Sequence, residues 1–258
     1  MSIGEIALEF CGRGGKRLRP RLCRAAYDAC RKLRIPGLPA GASDTAQVES
    51  LCEAVECFHK ASLIHDDIQD GDEVRYGQPT VWKAHGVEIA IAAGDWLVAR
   101  GYRLISGSGF GNAFEMMKAT VASHVALCEG QGDDLLGGAH DLEGYLSVCE
   151  RKTGEAFALA AELGALAAGA DPAPYRRYGL DFGVLFQLRD DLADGEAPDG
   201  AAALAETFAG KLASSDIARA LGDWHGARGA AVDETLSRYD VEGRARAPQP
   251  AKAQGDGR

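Results

Sequence analysis

Two copies of one acidic pattern, each at the end of an apolar run with helical spacing, constrain this chain most strongly. The pattern Asp-Asp-x-x-Asp occurs as DDIQD at 66–70 and as DDLAD at 190–194. On an α-helix, the first and last residues of each copy share a face, so like charges lie side by side. A single copy would be interpreted as a solvated acidic helix face. Two matched copies of hard oxygen ligands instead predict a shared site for Mg²⁺, which bridges carboxylates to phosphates.

The spacing of apolar residues and of glycine and proline predicts an all-α protein. Helices are predicted over 45–70 and 175–194, so that both acidic copies end a helix. Further helices are expected near 17–33, 84–105, 112–137, 141–168 and 203–221. The length of 258 residues fits one large domain, assigned to 1–240. Residues 241–258 are rich in Ala, Pro, Gly and Arg and are predicted to form a disordered tail.

Charge, cysteine content and hydropathy argue against a nucleic-acid partner and indicate the cellular compartment. The formal net charge is −10, which argues against a nucleic-acid backbone as a partner. The seven cysteines are an odd number without C-x-x-C spacing, as expected for reduced thiols in a cytoplasmic protein. No signal peptide is apparent, and no apolar stretch approaches the roughly 20 residues of a membrane span. The sequence therefore predicts a soluble cytoplasmic protein without stable membrane insertion.

Basic residues near the N-terminus suggest what a metal site would act on. The segment GGKRLRP at 14–20 places three cations beside glycines near a helix start, a favourable design for an anion with several oxygens. A basic helix end without a ligand is the alternative. His59 lies seven residues before Asp66 on the same helix face, where a lone histidine is usually a core residue. Further cations follow at Arg75, Lys152 and Lys211.

Together these segments resemble the trans-prenyl diphosphate synthase, or polyprenyl synthetase, family. The resemblance extends from Gly14 to about Asp216 and keeps the order of the family's motifs. The matching segments are GGKRLRP (14–20), FHKASLIHDDIQD (58–70), RYGQPT (75–80), GDWL (94–97), GQGDDL (130–135), RKTGEAF (151–157), FQLRDDLAD (186–194) and GKLASSDI (210–217). The resemblance implies an isoprenoid synthase fold, a helical bundle around a deep apolar central cavity whose mouth carries both aspartate motifs. It also implies a homodimer.

The resemblance also implies roles for individual residues. Three Mg²⁺ ions would be held by the motif aspartates Asp66, Asp67, Asp70, Asp190, Asp191 and Asp194. The diphosphate of an allylic prenyl substrate would bind Arg75, Lys152 and Lys211. The diphosphate of the second substrate, isopentenyl diphosphate, would bind Lys16, Arg19 and His59. Thr153 and Gln187 match polar positions near the reacting carbon, where their oxygens would stabilise positive charge.

The implied reaction is a Mg²⁺-dependent condensation of the allylic diphosphate with isopentenyl diphosphate. Metals and fixed cations stabilise the departing diphosphate, and a dry cavity protects the carbocation from water. Product length is predicted from residues upstream of Asp66. Ala61 and Ser62 are too small to block a growing chain, whereas Phe58, a turn further from Asp66, is the first bulky candidate for a cavity floor. This favours a product longer than farnesyl, with geranylgeranyl diphosphate expected.

Two departures from the family pattern keep a second function open. Tyr76 stands where the family has a second arginine that contacts isopentenyl diphosphate, a loss worth about 1.5–3 kcal/mol. The second lysine expected after 210–217 is also missing. A class I terpene cyclase, which ionises and cyclises a long prenyl diphosphate without isopentenyl diphosphate, would tolerate both changes. However, such a cyclase would not need the retained basic residues Lys16, Arg19 and His59.

Two further alternatives are disfavoured. A non-catalytic partner subunit of a heteromeric synthase predicts damaged aspartate motifs, and both motifs are complete. A metal phosphohydrolase built on His65 and Asp66 would need further histidines at helical spacing. The other histidines, His85, His124, His140 and His225, show no such arrangement.

Overall fold

Helices account for nearly all of the regular structure in residues 1–34, 42–137 and 141–222, which are the parts that this computed structural model describes. The helices in chain order are α1 (Ile3–Gly12), α2 (Leu18–Arg34), α3 (Ala42–Asp70), α4 (Val81–His85), α5 (Val87–Ser106), α6 (Ala113–Leu135), α7 (Leu142–Cys149), α8 (Glu155–Ala167), α9 (Ala173–Asp194), α10 (Ala201–Ala213) and α11 (Asp216–Leu221). A π-helix, Glu150–Gly154, joins α7 to α8. The prediction of an all-α protein is confirmed.

A two-stranded antiparallel hairpin follows α3. Strand β1 (Val74–Arg75) pairs with β2 (Gln78–Pro79), with Val74 opposite Pro79 and Arg75 opposite Gln78. The turn residues Tyr76 and Gly77 have φ of 54° and 73°. Positive φ at both central residues is the signature of the tight two-residue turn that suits strand twist. The hairpin therefore fixes Arg75 and Tyr76 directly beyond the first aspartate motif.

Two apolar clusters place α3 at the centre of the fold. The larger cluster contains buried residues of α2, α3, α8 and α9, and the smaller one contains buried residues of α1, α3 and α5. Helix α8 is buried around most of its circumference, as expected for a central helix of a bundle. Helices α3 and α9 thus carry the two acidic motifs out of the same core.

Both acidic motifs end their helices at a glycine with positive φ. Gly71 has φ of 71°, and Gly195, the C-cap of α9, has φ of 74°. Glycine adopts this left-handed conformation without the steric cost that a side chain would bring. Because the C-terminal end of a helix carries a partial negative charge, the aspartates and the helix ends favour a cation together.

The structure differs from the predicted helix pattern where local breaks interrupt apolar periodicity. Helix α1 and the hairpin were not predicted. The predicted helices 84–105, 141–168 and 203–221 are each divided, by Gly86 with φ of 93°, by the π-helix and by the turn before Asp216. The predicted disordered tail 241–258 lies outside the described residues. None of the helices in the described part of the chain is long and apolar enough to cross a lipid bilayer.

Close packing of α9 against the π-helix predicts a large effect of one added methyl group. A Cβ at Gly183 would lie 2.6 Å from Cα of Gly154 and 3.1 Å from the carbonyl oxygen of Thr153. Because backbone atoms cannot turn aside, Gly183→Ala should lower the free energy of unfolding by about 1–3 kcal/mol in urea titrations.

The matched control for this substitution is Gly210→Ala on α10, where an added Cβ meets nothing within 4 Å. This variant should lose no stability and can gain up to about 1 kcal/mol from helix propensity. Equal stability of the two variants would show that the helices do not pack this closely.

Candidate active site

The first aspartate motif occupies the last turn of α3. Asp66 and Asp70 lie one turn apart on one face. Burial raises the pKa of Asp66 to about 6; the positive charge of Lys152 opposes this rise, and the negative charge of Asp70 adds to it. The fold therefore holds a carboxylate where its charge is costly. A bound cation would relieve that cost.

Asp67 is the fully buried member of the motif. Its Oδ1 accepts a hydrogen bond of 2.5 Å from Nε of Arg75, and a guanidinium nitrogen of Arg75 also lies 3.5 Å from Asp72. Burial raises the pKa of Asp67, and the hydrogen bond from Arg75 opposes this rise. The other oxygen, Oδ2, has no hydrogen-bond partner among the described residues. Arg75, predicted to bind the allylic diphosphate, is thus held by the first motif itself.

In the second motif, on α9, protein groups also hold the middle aspartate. The middle aspartate, Asp191, accepts a hydrogen bond of 2.7 Å from Nε2 of Gln187 and another from the hydroxyl of Tyr145. Asp190 and Asp194 share a different face of the helix from Asp191. In both motifs, protein groups hold the middle aspartate, and the outer two form the pair on one face.

The π-helix between α7 and α8 links the two motifs. Lys152 pairs with Asp134 on α6. Burial opposes the charge of Lys152, but this pair and the charges of Asp66 and Asp70 raise its pKa. The next residue, Thr153, donates a hydrogen bond of 2.6 Å to Oε1 of Gln187. Short π-helical segments occur frequently at functional sites. Here the segment places a cation near the first motif and a hydroxyl on Gln187, which in turn donates to Asp191 of the second motif.

The residues around the two motifs fit Mg²⁺ that arrives with a phosphorylated ligand. In the described residues, no three acidic, histidine or cysteine side chains converge closely enough to bind a metal by themselves. Mg²⁺ is usually held by one or two carboxylates together with substrate phosphates, so a complete protein cage is not expected. The buried Oδ2 of Asp67 and the costly charge of Asp66 are features that a cation would satisfy.

The packing of α2 against α3 brings together Arg19 and His59, which are 40 residues apart in the sequence. Nη1 of Arg19 lies 3.3 Å from Nε2 of His59, and the guanidinium stacks 4.3 Å from the ring centroid of Phe157. Burial lowers the pKa of Arg19 to about 10. Burial and the charge of Arg19 hold the pKa of His59 well below its usual value, so the imidazole is neutral at pH 7. Nε of Arg19 is buried without a hydrogen-bond partner in the described part of the chain.

Lys211 is not brought to the second motif. Its ammonium pairs with Asp181 at 2.7 Å. Asp181 precedes Asp190 by nine residues on α9, which corresponds to roughly 13 Å along the helix. Lys211 has this position because α10 packs against α9. Its predicted contact with the allylic diphosphate therefore has no support from this geometry.

Phe58, predicted as a cavity floor, belongs to an aromatic cluster with α5 and α6. Its ring centroid lies 4.3 Å from that of His124 and 5.4 Å from that of Tyr102. The hydroxyl of Tyr102 is 2.6 Å from Nδ1 of His124, and the ring of Phe58 packs directly on Gly101. Burial lowers the pKa of His124 to about 4. This cluster lies about 12 Å along α3 from Asp66 and forms a bulky neutral layer there.

Comparison with known proteins decides the family. Residues 2–219 match the family model described as polyprenyl synthetase. The chain belongs to the polyprenyl synthetase family. It is 34% identical over 201 residues to the geranylfarnesyl diphosphate synthase of Natronomonas pharaonis, covering 72% of this chain and 58% of that relative. It is 36% identical over 188 residues to the geranylgeranyl diphosphate synthase of Mycobacterium tuberculosis, covering 70% of this chain and 51% of that relative. The chain thus spans about half to three fifths of these curated relatives.

Solved structures show that the family's fold extends over most of this chain. The geranyltranstransferase of Thermotoga maritima superposes with a TM-score of 0.78 at 24% identity, covering 92% of this chain and 91% of that one. A geranyltransferase from Helicobacter pylori, solved with magnesium and isoprenyl diphosphate, has a TM-score of 0.73 at 21% identity. The match covers 93% of this chain and 88% of that one. The predicted family and isoprenoid synthase fold are confirmed.

Within this family fold, Tyr76 lies against the basic loop that precedes α2. A Cβ added to Gly14 would lie 3.0 Å from the Tyr76 ring, and one added to Gly15 would lie 3.3 Å from its hydroxyl. Lys16 follows in the same loop. The departure at Tyr76 is therefore located beside the basic residues predicted to bind the second diphosphate.

Two residues that contact predicted site residues were missed in the sequence interpretation, and so was the burial of a third, Lys60, against the carbonyls of the basic loop. Tyr145 contacts Asp191 across 46 positions in the sequence, and no local pattern indicates such a pair. Asp134 belongs to the quoted GQGDDL segment, but its pairing with Lys152 depends on how α6 packs against the π-helix. Lys60 offered one signal, because a lysine within an apolar helix that leads to an acidic motif is unusual.

Proposed function

We propose that this chain is a Mg²⁺-dependent trans-prenyltransferase that condenses an allylic prenyl diphosphate with isopentenyl diphosphate. One observation carries the proposal: the charge of Lys152 acts on Asp66, and the adjacent Thr153 is hydrogen-bonded through Gln187 to Asp191. The basic pair of Arg19 and His59 lies near the first motif, since His59 is two turns from Asp66 on one face of α3 and the charge of Asp66 acts on Arg19. Two neighbouring subsites, one for a metal-bound diphosphate and one for a second diphosphate, suit a two-substrate condensation.

The residues of the allylic subsite act by charge and orientation. Mg²⁺, proposed as three ions, would supply Lewis-acid stabilisation of the diphosphate. The ions would be held by Asp66, Asp67, Asp70, Asp190, Asp191 and Asp194. Lys152 adds a fixed cation on the side where negative charge develops. Because Thr153 donates its hydroxyl proton to Gln187, the lone pairs of its oxygen are free of that bond and suit stabilisation of positive charge on carbon.

The second subsite binds isopentenyl diphosphate through the basic loop and α3. Lys16 and Arg19 are the proposed charged contacts. Arg19 offers its buried, unpartnered Nε to an incoming anion. The neutral imidazole of His59, beside the guanidinium, is suited to hydrogen bonding with the diphosphate without adding a charge.

The aromatic cluster predicts the product length. Phe58→Ala should open the floor below Asp66 and shift the main product by at least one isoprene unit beyond that of the wild type. Phe208→Ala on α10 removes a half-buried ring of the same size and should leave the product distribution unchanged. Liquid chromatography with mass spectrometry of the dephosphorylated products measures both. An unchanged distribution in Phe58→Ala would remove this residue from the floor.

The test of the proposed function separates elongation from cyclisation. The protein is incubated with Mg²⁺ and farnesyl or geranylgeranyl diphosphate, with and without isopentenyl diphosphate. We expect a longer diphosphate, geranylgeranyl diphosphate from the farnesyl substrate, only when isopentenyl diphosphate is present. A hydrocarbon or alcohol formed equally well without it would overturn the proposal and identify a terpene cyclase.

We also propose a homodimer that forms through α5 and α6. These helices pack on each other and expose apolar side chains, namely Val87 (40%), Ile91 (47%), Val121 (48%) and Val125 (54%). Such a group of exposed apolar residues is typical of an interaction surface. Sedimentation velocity should give a mass twice that of the chain, and Ile91→Lys should shift it toward the monomer. A wild-type monomer at micromolar concentration would contradict this.

A further inference from the structure

Lys60 is a fully buried lysine in the middle of α3, with 0% of its surface exposed. Its Nζ donates to the carbonyl oxygens of Arg13 at 2.7 Å and Gly14 at 3.0 Å, and lies 3.5 Å from the hydroxyl of Tyr76. It also lies 4.4 Å from the ring centroid of Tyr76. Burying an ammonium costs several kcal/mol, and an apolar side chain of similar length would avoid that cost. The buried charge of Lys60 therefore indicates a function other than packing.

The two carbonyl contacts orient the loop that precedes α2. In a planar trans peptide, the C=O and the following N–H point in opposite directions. With the carbonyls of Arg13 and Gly14 held by Lys60, the N–H groups of Gly14 and Gly15 point away from α3. Within the described residues, neither N–H has a hydrogen-bond acceptor. Each of these N–H groups is therefore left to donate to a ligand outside the loop.

Glycine is required for this loop geometry. Gly14 and Gly15 have φ of 29° and 99°, in the region that side chains disfavour. A Cβ at Gly15 would lie 3.5 Å from Nζ of Lys60, so the loop wraps closely around the ammonium. The same loop continues into Lys16 and Arg17. The buried charge thus lies directly behind a glycine loop that carries further cations.

One buried acidic residue, Glu56, partly offsets the positive charge of Lys60. Glu56 lies one turn before Lys60 on α3, is buried, and its Oε2 has no hydrogen-bond partner among the described residues. Burial lowers the pKa of Lys60, and the charge of Glu56 opposes this shift. Direct contacts of Nζ are nevertheless with uncharged oxygens, so its charge acts on the loop peptides.

We infer that Lys60 is a positioning residue of the isopentenyl diphosphate subsite, an inference that rests on the proposed function. It fastens the loop 13–15 to α3 and presents the N–H groups of Gly14 and Gly15 to the diphosphate, beside Lys16 and Arg19. Its positive charge reaches the anion through the two aligned peptide dipoles.

The first test is steady-state kinetics of Lys60→Gln, whose amide can still donate to the loop carbonyls. The KM for isopentenyl diphosphate should rise about ten- to a hundredfold, the value of one charge-assisted contact, while kcat and the allylic KM stay within about twofold. Lys83→Gln is the matched control, because Lys83 is an exposed lysine paired with Glu73. An unchanged KM for isopentenyl diphosphate, or an equal loss in all three parameters, would overturn the inference.

A rescue variant separates charge from simple packing. Because the Tyr76 hydroxyl lies 3.5 Å from Nζ, an arginine at this position can bring a guanidinium to the same loop. Relative to Tyr76→Arg alone, Lys60→Gln combined with Tyr76→Arg should therefore lose much less affinity for isopentenyl diphosphate than Lys60→Gln loses relative to wild type. An equal loss in both backgrounds counts against an electrostatic role.

The second test uses the wild-type protein, so it does not depend on the folding of a variant. Labelling arginine with ¹³C at the carbonyl and glycine with ¹⁵N selects the Arg-Gly pairs, which occur at 13–14, 100–101 and 228–229. The 13–14 signal is assigned by its loss in Arg13→Lys. Inorganic pyrophosphate, added without Mg²⁺, should shift this signal. No shift at saturation overturns the inference.

These outcomes are distinguishable from failure of the proposed function. A wild-type protein that makes no longer diphosphate in the presence of isopentenyl diphosphate refutes the prenyltransferase proposal. A shift of the 13–14 signal with pyrophosphate still supports the role of Lys60 at an anion site in that case.

Discussion

Asp66→Asn should lower turnover by about a thousandfold or more while leaving the fold intact. The amide keeps the shape of the carboxyl group but cannot supply a negative ligand beside Asp70. Asp28→Asn on α2 is the matched control, since Asp28 belongs to a half-exposed pair with Arg24, away from both motifs. We expect the control to retain wild-type turnover. Activity of Asp66→Asn within tenfold of wild type would contradict a role in metal binding.

The same substitution has a pH-dependent effect on stability. Burial raises the pKa of Asp66 to about 6, above its unfolded value, so folding favours the protonated form. The stability associated with this group is therefore present at low pH and is lost as the pH rises through about 6. Because asparagine does not ionise, Asp66→Asn does not lose this stability as the pH rises. Its melting temperature should equal that of wild type near pH 4 and exceed it at pH 8, both measured without metal.

Arg75→Met should destabilise the protein by about 3–5 kcal/mol at pH 8, the cost of removing one partner of a buried ion pair. Asp67 is fully buried, and Arg75 is its charged partner at 2.5 Å. Urea unfolding measures the loss. A loss below about 1 kcal/mol would mean that Asp67 is solvated and that Arg75 remains available to a ligand.

A rescue variant and pH provide the controls for this prediction. Asp67→Asn combined with Arg75→Met removes the unpaired charge and should recover most of the lost stability. Without Arg75, the pKa of Asp67 rises further above its unfolded value, so protonation favours the folded state. The deficit of Arg75→Met should therefore shrink as the pH falls from 8 toward 5.

Local sequence patterns predicted the parts of the site that depend on helix periodicity. The pairs Asp66 with Asp70 and Asp190 with Asp194 follow from i, i+4 spacing, and their positions at helix ends follow from the glycines that come next. Arg19 and His59 were assigned to one subsite by resemblance, and the structure brings them together.

Long-range packing determined the parts that the sequence did not predict. The bond from Tyr145 to Asp191 and the pair of Lys152 with Asp134 join separate helices through a π-helix, which has no sequence signature. Lys211 was assigned to the allylic diphosphate by resemblance alone, and the packing of α10 along α9 pairs it with Asp181. Helix α1 was missed even though Ser2 and Glu5 form a capping box.

The most direct test of the central claim, that both motifs hold one metal–diphosphate site, is a binding measurement without turnover. A thio analogue of farnesyl diphosphate, with sulfur in place of the bridging oxygen, is titrated calorimetrically with and without Mg²⁺. Binding should require Mg²⁺, and Asp66→Asn and Asp190→Asn should each weaken it about tenfold or more. Because the motifs act as a unit, the double variant should lose less than the product of the single losses. Unchanged binding in either single variant, or fully independent losses, would contradict a shared site.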